Sequence, residues 1–132
     1  MNIDHMNILI NTIEKAKPEQ CIMGRWKKPL GCGTAYCIGG WIDHLICTDA
    51  IPSVIYKDLD RYMHHSYQDQ TAAVLEIPDD QAYYLTKPGI MDTFDLLDAS
   101  TRKAAMLKVL RWYRDEGTIQ WRRAVDEAYS AK

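Results

Sequence analysis

Ala35-Tyr36-Cys37-Ile38-Gly39-Gly40-Trp41-Ile42-Asp43-His44-Leu45-Ile46-Cys47 is apolar on nearly every side when wound as an α-helix. A helix of that kind has to be surrounded by others, so residues 35–47 are read as the centre of a helical globule. Thr34 is placed to cap it. Gly39 and Gly40 fall inside it, where each costs about 1 kcal/mol relative to alanine. Close approach of a neighbouring helix backbone is the expected offset.

On the N-terminal side, Met6, Leu9, Ile10 and Ile13 recur at helical spacing, predicting a helix over about 3–17. Asn2 or Asp4 can cap it, and Pro18 cannot continue it. Residues 18–33, punctuated by Pro18, Gly24, Pro29, Gly31 and Gly33, read as an ordered loop anchored by Trp26, with a short extended piece at Cys21–Met23. On the C-terminal side, Ser53 can cap a helix carrying Val54, Ile55, Leu59, Tyr62 and Met63, interrupted at His64-His65-Ser66. A further helix carries Tyr67, Ala72 and Leu75, and Pro78-Asp79-Asp80 opens a short one ending near Leu85 and the turn Lys87-Pro88-Gly89. Asp98 or Ser100 caps a long helix over about 101–116, closed by Gly117. Thr118 caps the last helix, with Trp121, Val125, Ala128 and Tyr129 on its inner face. With no strand-period segment long enough to build a sheet, the expectation is an all-α, irregular multi-helix bundle, one domain over residues 1–132.

Charge narrows the function classes. The net charge of −2 argues against a nucleic-acid binder. It is unevenly spread: residues 43–98 carry −8 and residues 99–132 carry +4. The acidic middle and basic end are expected to attract each other in the fold. Arg111, Arg114, Arg122 and Arg123, interleaved with Trp112 and Trp121, form a candidate basic face, read as solvated and partly paired. No apolar run is long enough for a membrane span, and Met1-Asn2-Ile3-Asp4-His5 has no signal-peptide pattern. A cytoplasmic protein with reduced thiols at Cys21, Cys32, Cys37 and Cys47 is expected.

The candidate binding motif is Cys32, Gly33, Thr34, Cys37, Gly40, Trp41 and His44. A glycine-rich loop entering a helix can present N–H groups to an anion, although the P-loop lysine is missing. A thiol at a helix start is a candidate nucleophile, but Cys37 and His44 stand about 10 Å apart along a helix, too far for a thiol–imidazole bond. Cys32 with His64 or His65 is neither supported nor excluded by spacing. Cys37 and Cys47 read as buried and inert. His44 and Cys47, at i and i+3, are the pair that favours a metal, yet no second knuckle of standard spacing completes a site. The reading assigns no catalytic residue, cofactor or metal.

The string Cys32-Gly33-Thr34-Ala35-Tyr36-Cys37-Ile38-Gly39-Gly40-Trp41 resembles a family of small, uncharacterised bacterial and phage proteins marked by Cys-Gly-Thr followed two residues later by Cys-Ile-x-Gly-Trp. Met23-Gly24-Arg25-Trp26 looks like its Met-x-x-Trp, residues 73–82 like its Leu-x-hydrophobic-x-Pro-Glu-Glu-Ala step, and Gly117–Trp121 is similar to its Gly-x-x-x-Trp. Gly39 stands where the family has Ala, and Ile77 where it often has Thr or Ser. The resemblance implies a helical architecture and a phage or mobile-element context, and brings no catalytic residue. The expected function is a non-enzymatic protein-interaction module acting on a host protein, with self-association open. The alternative is a small-molecule or anion-binding domain, or a cysteine-dependent enzyme, centred on Cys32–Cys37.

Overall fold

The computed structural model describes residues 1–23, 27–30, 33–51, 67–86, 94 and 96–130. Helix α1 (Ile3–Lys15) starts where Asn2 leaves helical geometry and its side-chain oxygen accepts from the His5 N–H at 2.9 Å. Of the two caps available the chain uses Asn2, and Asp4 lies in the first turn, where a carboxylate suits the helix dipole. Met6, Leu9, Ile10 and Ile13 are its buried stripe. At the other end the Lys103 ammonium donates to the Glu14 and Ala16 carbonyls, each at 2.7 Å. A cation from a distant helix thus meets carbonyls that α1 cannot satisfy itself.

Pro18–Gln20 forms one 3-10 turn, after which the chain departs from the expected loop. Strand β1 (Lys27–Leu30) pairs antiparallel with β2 (Gly33–Tyr36), setting Lys27 opposite Tyr36 and Leu30 opposite Gly33. Pro29 is tolerated because β1 is an edge strand, paired only with β2 among the described residues. Cys21 adds a parallel bridge to Tyr36, matching the extended piece expected there. Thr34, expected to cap the next helix, therefore lies in β2, and helix α2 (Ile38–Cys47) begins only after Cys37. The backbone of residues 33–36 is committed across the hairpin, and the Tyr36 carbonyl also accepts from Ile22 N–H at 3.2 Å. Those groups cannot serve a helix at the same time.

Ile38, Gly39, Gly40, Trp41, Ile42, Leu45 and Ile46 are buried, as a central helix requires. One face is open nonetheless: Asp43 and His44 are half-buried and Cys47 is exposed, so the expectation of a buried Cys47 is corrected. Cys47 follows Asp43 by four residues and His44 by three, and so shares their polar side.

Helix α3 (Tyr67–Leu75) packs against α2 and ends as Glu76 takes a left-handed φ of 53°. The Leu75 carbonyl accepts from Asn2 N–H at 2.7 Å, fastening the end of α3 to the start of α1. Helix α4 (Asp79–Thr86) follows Pro78 with two acids in its first turn. Asp98, not Ser100, precedes α5 (Ala99–Glu116), and Gly117, at φ 76°, closes it in the left-handed conformation glycine tolerates best. Helix α6 (Trp121–Ser130) packs along α5, which also lies against α1.

One cluster, running from Met6 through Ile42, Leu75 and Phe94 to Leu110 and Ala128, joins the six helices described. The fold is all-α, an irregular multi-helix bundle of one core, carrying a single short hairpin among the described residues. No described helix is long and apolar enough to cross a membrane. The helix expected on Val54–Met63, the break at His64–Ser66, the turn Lys87–Gly89 and the anchoring role of Trp26 lie outside the described residues.

Candidate functional site

The sequence motif straddles a change of secondary structure. Cys32 lies outside the described residues, Gly33 and Thr34 belong to β2, and Gly40, Trp41 and His44 sit on α2 behind the cap Cys37. Because β2 runs straight into the cap, Tyr36 is delivered beside the first turns of α2. Its ring centroid is 4.8 Å from that of Trp41 and 5.1 Å from that of His44. The Trp41 and His44 rings meet edge to face at 5.7 Å. The Tyr36 hydroxyl lies 3.3 Å from His44 Nδ1, so the imidazole is held by a phenol from the hairpin.

The cap is chemically unusual. Cys37 is buried, and its sulfur accepts from the Gly40 N–H at 3.4 Å while its carbonyl accepts from the Trp41 N–H at 2.8 Å. A thiol is a weak acceptor, so this cap gives less than Ser or Asp would. The Cys37 sulfur and the His44 imidazole are thus each engaged by a different group, an amide for the one and a phenol for the other. Cys21, beside Tyr36 through the bridge, is pushed up to about 11 by burial, which outweighs the nearby Lys103 and Arg102 charges. Such a thiol stays protonated and inert near neutral pH.

Two polar atoms stand out against this background. Trp41 Nε1 and Gln70 Oε1 are buried with no hydrogen-bond partner among the described residues. The Gln70 amide nitrogen itself reaches Asp43 at 3.4 Å, tying α3 to the polar side of α2. Among the described residues no three His, Cys, Asp or Glu side chains gather as a metal site would need.

The basic face resolves into local pairs. Arg111 bonds Glu14 at 2.7 Å, Arg114 bonds Asp115 at 2.8 Å and Asn7 at 2.9 Å, and Arg123 bonds Glu127 at 3.1 Å. Arg123 also covers the Trp112 ring at 4.3 Å, and Arg122 is exposed. The three carboxylates belong to α1, α5 and α6, not to the acidic stretch 43–98 expected to neutralise this face. Sequence-near and helix-neighbour acids meet these arginines first. The Arg114 bond holds the Asp115 carboxyl below its ordinary range.

A surface that sequence spacing did not single out lies where α4 meets α6. The Trp121 indole N–H donates to the Tyr84 carbonyl at 3.0 Å, and Phe94 packs edge to face on the same indole at 5.6 Å. Tyr84, whose carbonyl takes that bond, is 58% exposed, and its neighbour Tyr83 is 44% exposed with its ring 5.5 Å from that of Tyr84. Leu96, two residues past Phe94, is 83% exposed. Tyr129, expected on the inner face of α6, is 62% exposed. Trp121, Ala124 and Ala128 already fill the inward stripe, so a residue one position past Ala128 turns outward. The signal available in the sequence was the adjacent pair Tyr83-Tyr84 on a short helix that can bury only one side.

No family model matches the chain, and no curated protein and no solved structure matches it either.

Proposed function

We propose that the chain is a non-enzymatic protein-interaction module that docks another protein on the Tyr83–Tyr84–Leu96 surface around Trp121. The observation that carries this reading is the exposure of Tyr83, Tyr84 and Leu96 beside an anchor in which the Trp121 indole holds the Tyr84 carbonyl and packs on Phe94. Tyrosine supplies broad, rigid contact area at low entropic cost and is enriched at protein interfaces. Exposed large aromatic and aliphatic side chains are a common mark of a binding surface. Engagement of the motif thiol and imidazole by other groups supports a non-enzymatic role. The Cys-Gly-Thr-x-x-Cys-Ile-x-Gly-Trp resemblance supports a phage or mobile-element context with a host protein as partner, and the thiol-bearing core supports a cytoplasmic setting.

The test pairs capture with substitution. Tagged protein incubated with host lysate should retain one stoichiometric partner, and Tyr84→Ala or Leu96→Asp should cut its recovery about tenfold while helicity by circular dichroism stays unchanged. Sedimentation of the purified chain separates a second copy from a foreign protein as the occupant. Absence of a stoichiometric partner and of self-association, or capture indifferent to both substitutions, would sink the reading.

A further inference from the structure

We infer that the partner of this protein presents a basic, arginine-bearing segment to the outer face of α4. The inference rests on the docking reading above and names its partner class. Asp79, Asp80, Tyr83 and Tyr84 are all exposed. Spaced i, i+1, i+4 and i+5, they share one side of the helix, and Ala82, Leu85 and Thr86 are buried on the other. Helical side chains lean toward the N-terminus, so both tyrosines lean toward the end that carries the two carboxylates.

The face is held in place from behind. Gln68 on α3 donates to the Asp79 carbonyl at 3.4 Å, the Tyr113 hydroxyl on α5 donates to the Gln81 side-chain oxygen, and the Trp121 indole on α6 donates to the Tyr84 carbonyl at 3.0 Å. A helix tied to three others presents its outer side already ordered, which lowers the entropic cost of binding.

Charge selects the occupant. Residues 76–98 contain six acidic residues and one lysine. Arg111, Arg114 and Arg123 of the basic end are met by Glu14, Asp115 and Glu127, and neither Asp79 nor Asp80 has an ion-pair partner among the described residues. The acids of α4 therefore face solvent uncompensated, where they attract a cationic segment and repel nucleic acid or an acidic one. Rings beside carboxylates favour arginine over lysine, because a guanidinium stacks on an aromatic face and bonds a carboxylate through two N–H groups. The molecule already contains this arrangement once: Arg123 lies 4.3 Å from the Trp112 ring centroid while it bonds Glu127.

The experiment is a two-dimensional NMR titration of the full chain with deca-arginine, deca-lysine and deca-glutamate at one ionic strength. Deca-arginine should give saturable shifts centred on the amides of Asp79 to Tyr84, at lower concentration than deca-lysine, and deca-glutamate none. Asp79→Asn combined with Asp80→Asn should weaken deca-arginine binding about tenfold. Glu116→Gln combined with Asp126→Asn, exposed acids elsewhere on the chain, should leave it unchanged. Shifts scattered over the acidic residues, equal weakening by the two pairs of substitutions, or equal binding of the two cationic peptides overturns the inference. A lysate partner that is lost in Tyr84→Ala but indifferent to salt and to the Asn pair overturns it too, while the docking reading stands. Self-association of the chain that the Asn pair abolishes makes the occupant a second copy and likewise overturns it. Should the Asn pair fail to fold, the shift map and the peptide ranking on the unaltered chain still decide.

Discussion

Two buried indoles occupy opposite circumstances in this molecule. Trp121, at the start of α6, gives its N–H to the Tyr84 carbonyl and takes an edge-to-face contact from Phe94. Trp41, in the first turns of α2, is packed as deeply between Tyr36 and His44 but leaves its N–H unmatched among the described residues. The α6 end is therefore finished as structure, and the large side chains left exposed near it are Tyr83, Tyr84 and Leu96. The α2 end is finished as packing and unfinished as chemistry. Apolar burial alone would rank the two alike; polar matching separates them.

The largest effect should come from testing the likeness. Ile42 on α2 and Leu110 on α5 are both fully buried, so Ile42→Ala and Leu110→Ala should each cost about 2–5 kcal/mol in denaturant unfolding. A cost below about 1 kcal/mol for Ile42→Ala would mean that the α2 region is loosely packed and the comparison ill-founded. A second effect belongs to the α2 side. The Cys21 thiol is raised by burial from 9.0 to about 11, so the folded state keeps its proton where the unfolded chain loses it. Its contribution is complete below pH 9 and is lost as pH rises toward 11, by roughly 2–3 kcal/mol. Cys21→Ala should flatten stability against pH across that window; an unchanged slope would assign the loss to other groups.

The indoles themselves give the sharper contrast. Trp121→Phe removes a made hydrogen bond and strands the Tyr84 carbonyl, whereas Trp41→Phe removes an unmade one. Both lose similar volume, so Trp121→Phe should be the more destabilising by about 1 kcal/mol. Equal costs would show that Trp41 has an internal acceptor after all. The smallest effect is on the basic face: Arg111→Ala breaks an exposed pair with Glu14 and should cost under about 1 kcal/mol, less at high salt.

Much of the helical framework was legible before any coordinates. The Met6–Leu9–Ile10–Ile13 stripe, the stop before Pro78 and the left-handed Gly117 are local matters of periodicity, missing donors and permitted φ, and all three hold. The hairpin was not legible, because Lys27–Leu30 and Gly33–Tyr36 are four residues each, too short for alternation to show. That omission moved the start of α2 and hid the meeting of Tyr36 with His44. Spacing also misplaced Cys47, because α2 is apolar on most sides, and Tyr129, because it sits beside Ala128 at the edge of the stripe that Trp121, Ala124 and Ala128 bury.

By itself the sequence determined where most of the described helices form, because caps, breakers and a repeat near 3.6 residues act through the nearest turn. Only the tertiary structure decided which polar groups are met. Lys103 closes α1 from 87 residues away and Trp121 finds a carbonyl 37 residues back, while Trp41 is packed away from any comparable partner among the described residues. Hydrogen bonds between distant segments depend on where helices come to rest against each other, and local spacing contains no record of that.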